Sequence, residues 1–136
     1  MSAHTKLAIA VRADLAPWQQ LNVTAFLASG LALGGPEVTG EAYQDASGTK
    51  YLPMFRLPVV VYEADAAALA AMRDRAVTRE LATAVYTEEL FGTGNDEDNR
   101  AAVLAVAVQD LRLVGVAVHG PRNAVDKACK GLVLHP

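Results

Sequence analysis

Four short apolar runs, Leu7-Ala8-Ile9-Ala10-Val11, Val59-Val60-Val61-Tyr62, residues 81–86 and residues 111–118, alternate along the chain with segments of helical spacing. The first of these, apolar at every position, without a helical period and closed by charge, reads as a central strand buried on both faces, and the other three repeat the strand signal. Between the first two runs, Pro17 suits a first helical turn, and Val23, Phe26, Leu27 and Leu31 then recur on one side as far as Leu33. Gly34-Gly35-Pro36 ends that helix. Residues 37–52 carry no sustained period and read as a long surface excursion, with a hairpin around Asp45-Ala46-Ser47-Gly48. Residues 64–79 form a second helix with Leu69, Met72 and Ala76 as its inner stripe. Asn95 caps a third helix, which runs to about Val108 with acids in its first turn. Gly120-Pro121 opens a short helix through Lys127, and residues 131–134 supply an edge strand. This order predicts an α/β fold with helices on both faces of one sheet.

At 136 residues the chain is long enough for one domain with its own core and too short to suggest two, so residues 1–136 read as a single domain. It is 52% hydrophobic but only 6% aromatic, which favours tightly packed aliphatic layers. The formal net charge of -3 supplies no overall positive field to attract a phosphate backbone, which disfavours tRNA as a partner. Cys129, the one cysteine, excludes an intrachain disulfide and reads as a small packed side chain, while His4, His119 and His135 are too scattered for a zinc site. No cofactor or metal is expected. No apolar stretch approaches the roughly 20 residues of a membrane span, and the first run is too brief for a signal core, so a soluble cytoplasmic protein without a membrane partner is expected.

Several positions carry candidate chemistry. At His119-Gly120-Pro121 a strand meets a helix N-terminus, where backbone N–H groups and the helix dipole suit a phosphate or carboxylate; the same residues also suit an ordinary tight turn capped by His119. Asn22 and Thr24, with Gln19 and Gln20, offer uncharged hydrogen-bonding groups near the start of the first helix, or plain helix surface. Trp18 roofs a pocket there or anchors a core or interface. Glu88 and Glu89 precede Gly92-Thr93-Gly94, so a carboxylate lies beside a glycine-rich loop and would act as a general base if burial raised its pKa. That loop lacks the third glycine and the lysine of a phosphate loop, and Asp96, Glu97 and Asp98 read as a solvated helix start rather than a metal site. Ala25, Ala28, Ser29 and Ala32 give the first helix a small-residue face for the sheet or for a second subunit.

The ending, an apolar strand Val114-Gly115-Val116-Ala117-Val118 followed by His119-Gly120-Pro121, Asp126-Lys127 and Gly131-Leu132, resembles the pattern of the type 2 peptidyl-tRNA hydrolases. Ala10-Val11-Arg12-Ala13-Asp14-Leu15 resembles that family's first strand and turn. The whole chain, including the helical stretch Leu21-Asn22-Val23-Thr24-Ala25-Phe26-Leu27, resembles DUF2000, a bacterial family related to that fold. The resemblance implies a three-layer α/β/α sandwich with a mixed, mostly parallel sheet of four to five strands. It also exposes departures, because the hydrolases carry a lysine, a glutamine and a histidine on the first helix. Here Leu21 or Asn22, Ala25 and Ala28 stand at those places. Glu88 and Thr93 are the nearest counterparts of an aspartate and a threonine of the hydrolases, and Asp126 and Lys127 align.

The leading expectation is therefore a hydrolase-like scaffold without the hydrolase activity. It would bind a small polar or anionic ligand between the first helix and the His119-Gly120 turn through Asn22, Thr24, His119 and Gly120. One alternative is a modified ester hydrolase acting on peptidyl-tRNA, in which Glu88, Thr93 and Asp126, with Asn22, position water and the ester carbonyl. Its basic track would be Lys6, Arg12, Arg122, Lys127 and Lys130. The other is a homodimeric interaction module using the small-residue helix face or residues 37–51.

Overall fold

In the computed structural model, which describes residues 4–136, Thr5–Arg12 (β1) forms a strand whose apolar positions are all covered. Leu7 to Val11 are each at most 1% exposed. Alternate residues point to opposite faces, so Leu7, Ile9 and Val11 meet one layer while Ala8 and Ala10 meet the other. Pro17–Leu31 (α1) covers the first face with Val23, Leu27 and Leu31, each burial contributing about 1.5–3 kcal/mol of transfer free energy. Ala32–Glu37 continues α1 as a 3₁₀ segment kinked at Gly35, whose φ of 79° favours glycine. The second face is covered by Ala66–Thr78 (α2), through Leu69, Met72 and Ala76, and by Arg122–Ala128 (α4), through Val125 and Ala128. The expected three layers are present.

Tyr43–Gln44 (β2) and Lys50–Tyr51 (β3) form a separate antiparallel hairpin between α1 and Val59–Ala64 (β4). Ala82–Thr87 (β5), Asp96–Leu104 (α3), Leu113–Pro121 (β6) and Val133–Leu134 (β7) complete the order, with α4 between the last two strands. The main sheet runs β5-β6-β1-β4-β7. It is mixed and five-stranded as expected, but not mostly parallel: β1 pairs parallel only with β4, while β1–β6, β5–β6 and β4–β7 are antiparallel. Strand-helix-strand alternation does orient β1, β4 and β5 the same way, since β1 and β5 both oppose β6. The chain after β5 instead turns back through α3 and inserts β6, reversed, between them.

This insertion requires Gly115, because a Cβ there would stand 2.6 Å from Val23 Cγ1 and 2.8 Å from Leu27 Cδ1. The glycine lets α1 lie directly on β6. The hairpin is an arm whose residues 41–54 are all exposed, joined to the body by a bridge between Thr39 and Phe55. Among the described residues no helix is long and apolar enough to cross a membrane.

Candidate functional site

β1 leads into α1 on one face of the sheet, and β5 ends beside α1, followed by the 3₁₀ turn Glu88–Gly92 and by α3. Asn95 caps α3 as expected, its Oδ1 accepting from Asp98 N at 2.8 Å. Between α1 and this returning segment lies a cleft of about 390 Å³. Its apolar wall comes from Trp18 and Phe26 of α1, Tyr86 of β5, and Phe91. Phe91 meets Trp18 edge-on with centroids 6.3 Å apart and Tyr86 at 5.3 Å, and Phe26 meets Tyr86 at 5.6 Å. Edge and tilted geometries place positive ring edges against negative faces and hold the wall in shape. Burial also raises the Tyr86 phenol pKa.

The polar lining is almost wholly uncharged: Asn22 from α1 faces Thr93, Asn95 and Asn99 across the cleft. The Thr93 hydroxyl donates to Asn99 Oδ1 and lies 3.1 Å from the Leu90 carbonyl, which pins the Gly92-Thr93-Gly94 loop against α3. Asp96 is the one charged lining residue, paired with Arg100 one turn along.

A second depression, about 430 Å³, opens at the carboxyl ends of β1 and β4. These parallel neighbours send their helices to opposite faces, and such a divergence leaves a crevice at the strand ends. Arg12 lines it, donating to Asp14 at 2.6 Å and to Glu88 at 2.9 Å; Asp65 caps α2 by accepting from Ala68 N at 2.8 Å. Glu88 also lies 3.3 Å from Arg112, and Glu89 accepts from both Arg112 Nε and Nη2, at 3.0 and 2.8 Å. Those bonds lower the Glu89 carboxyl pKa. Arg12, Asp14, Glu88, Glu89 and Arg112 thus each face an opposite charge, while Asp65 is held by a backbone N–H.

The sequence matches the family described as Protein of unknown function (DUF2000) over residues 5–136. The chain belongs to the DUF2000 family. A solved structure titled a protein of unknown function, Atu0240, from Agrobacterium tumefaciens strain C58, is 41% identical, with a TM-score of 0.93 and coverage of 98% of each chain. Among curated proteins none matches.

On this DUF2000 scaffold the candidate residues fall into three places. Asn22 and Thr93 share the aromatic cleft, while Glu88 stands across the 3₁₀ turn in the neighbouring crevice. Thr24 faces neither, since its hydroxyl donates at 2.7 Å to the carbonyl of Gln20 one turn back. His119, Gly120 and Asp126 lie at the other end of the sheet: His119 pairs with Leu7 and Gly120 with Lys6, at the start of β1. The reversal of β6 accounts for that distance from Asn22. His119 is buried, with Nε2 unpartnered among the described residues, and its ring lies near Gly34 in the 3₁₀ segment beyond α1. Gly120 has a packing reason, since a Cβ would stand 2.5 Å from Leu81 Cδ2. Asp126 accepts from Lys6 Nζ at 2.6 Å, a bond that raises the lysine pKa.

Phe26, counted from its spacing with the inner stripe, is 51% exposed at the cleft. Phe91 and Asn99 were missed, because a single aromatic before a glycine and an amide inside a short helix carry no local signal. The sequence also left unread the contact of Gln20 Oε1 with His135 Nε2, 2.8 Å apart, beside Glu63. Among the described residues no group of three or more His, Cys, Asp or Glu stands ready for a metal.

Proposed function

We propose that this DUF2000 protein binds a small, flat, uncharged polar molecule in the cleft between α1 and α3, without hydrolysing an ester there. One observation carries the reading: four aromatic side chains and the uncharged groups of Asn22, Thr93 and Asn99 converge on one concave space. Apolar walls with a few directed polar groups are the usual makeup of a small-molecule site. The charge balance narrows the earlier expectation, since a cleft whose one charged lining group is Asp96 disfavours an anion.

Trp18, the sole tryptophan, is 62% exposed at the cleft rim and serves as an internal probe. Titration with neutral heteroaromatic and sugar-like compounds is expected to shift or quench its fluorescence and to raise the melting temperature. Asn22→Ala is expected to weaken that binding several-fold, from the loss of about 1 kcal/mol of hydrogen bonding. A panel that leaves both the fluorescence and the melting temperature unchanged sinks the reading.

The hydrolase alternative draws on the shared cleft of Asn22 and Thr93. Against it, Lys6 and Arg122 lie at the other end of the sheet with Asp126, and Arg12 is engaged by Asp14 and Glu88. Incubation with peptidyl-tRNA is expected to give no turnover; turnover abolished by Glu88→Ala would reverse the preference.

A further inference from the structure

The polar groups lining the cleft between α1 and α3 are not equally available to a ligand. The Asn95 carboxamide is engaged at the helix cap, Oδ1 accepting from Asp98 N at 2.8 Å and Nδ2 donating to Asp98 Oδ2 at 2.9 Å. The Thr93 hydroxyl proton is used within its loop, and the Asn99 Oδ1 that receives it is taken, so Asn99 keeps only its Nδ2 donors. Asp96 is paired with Arg100. Of the three lining asparagines, Asn22 alone has both ends open, since its carboxamide makes no hydrogen bond among the described residues.

Trp18, Asn22 and Phe26 recur every four residues along one face of α1, so an aromatic side chain stands about 6 Å along the axis on either side of this amide. A flat ring that meets Asn22 edge-on therefore has an aromatic group to lie against. A carboxamide presents one donor and one acceptor side by side in a plane, and only an edge carrying the converse pair satisfies both at once. Nucleobases carry such edges, and asparagine reads adenine in this bidentate way. Turning the amide over exchanges donor and acceptor, so either order of the pair fits, whereas two adjacent donors do not. Charge sets the form of the molecule, because the one charged lining group is the acid Asp96 and no cation lines the cleft to hold a phosphate.

We propose that the cleft takes an uncharged nucleobase-type heterocycle, as free base or nucleoside, whose adjacent donor and acceptor pair with the Asn22 carboxamide while its face lies against an aromatic side chain of α1. This rests on the cleft being a small-molecule site and adds which edge the molecule must present. A ring without an N–H donor leaves the Asn22 oxygen stripped of water and unpaired.

Calorimetric titration of the full chain tests the edge separately from the site. Uracil, theobromine and adenosine are expected to bind. Their flat relatives 1,3-dimethyluracil and caffeine, in which methyl groups replace every ring N–H, are expected to bind about tenfold or more weakly, and adenosine 5′-monophosphate more weakly than adenosine. Asn22→Asp keeps the size of the side chain but offers only acceptors. It is expected to lose adenosine about tenfold or more and to keep guanosine, whose N1–H and N2–H are adjacent donors, with the wild-type circular dichroism because Asn22 is partly exposed on its helix. The comparison of methylated with unmethylated rings needs no variant. Methylated rings that bind as tightly as their parents overturn the edge assignment and leave the cleft a binding site. So does an unchanged preference between adenosine and guanosine in Asn22→Asp, or a 5′-monophosphate that binds more tightly than its nucleoside. A panel in which no compound binds overturns this assignment and the binding reading together.

Discussion

Gly115 is the residue on which two layers depend, because a Cβ at that position would collide with Val23 and Leu27 of α1. Gly115→Ala is expected to destabilise the fold by about 1–3 kcal/mol, the usual cost of overpacking a core, measurable as a lower urea midpoint. Cys129 behaves differently. Burial raises its thiol pKa from 9.0 to about 11, so at neutral pH the side chain stays protonated and poorly nucleophilic. Native protein is expected to resist a thiol reagent at neutral pH and to react once unfolded in urea. The raised pKa also means that the thiol's contribution to stability is complete below pH 9 and disappears as pH climbs through about 11. Unfolding midpoints across that interval, compared with those of Cys129→Ala, check the assignment. The sequence identified Cys129 as a packed side chain from its isolation, but a glycine inside an apolar run gave no sign of which helix would cross it.

Among the elements, α1 shows where local pattern is sufficient and where it fails. Val23, Leu27 and Leu31 follow the helical period and are buried, whereas Phe26 falls on the flank of that stripe and becomes a wall of the cleft. The arm has its own local device: Asp45 Oδ1 accepts from Ser47 N at 2.9 Å and Thr49 N at 3.0 Å, and Tyr51 donates to Oδ2 at 2.7 Å. The Tyr51 bond, followed by the Thr49 amide, lowers the Asp45 pKa. A lowered folded pKa gives a stabilising contribution that is present above the usual aspartate range near 4 and is lost as pH falls through the lowered value. The Ser47 and Thr49 amides are therefore expected to exchange faster with solvent, after correction for the intrinsic rate, as pH drops below about 4. In Asp45→Asn the acid-dependent step should vanish. Turn chemistry of this kind is legible in sequence because every partner lies within six residues of the aspartate.

For the molecule as a whole, β6 is the joint, paired on one edge with β1 from the opposite end of the chain and on the other with β5. Without it the first face loses Ala117 and Val114 and the second loses Val116 and Val118. A chain ending at residue 111 is expected to show no cooperative thermal transition by circular dichroism; a sharp transition would mean that the layers hold together without their joint. Residues 7–11 and 111–118 already disclose in sequence that they form strands, and the helical periods assign the inner stripes of α1 and α2. Caps at Asn95 and the turn around Asp45 are equally local. Strand direction is not, because a run apolar on both faces reads the same whether it points up or down the sheet. Only the tertiary structure decided that β6 runs against its neighbours. That reversal separates His119 and Asp126 from Asn22, while the return of the chain through Phe91 and Thr93 builds the cleft beside α1.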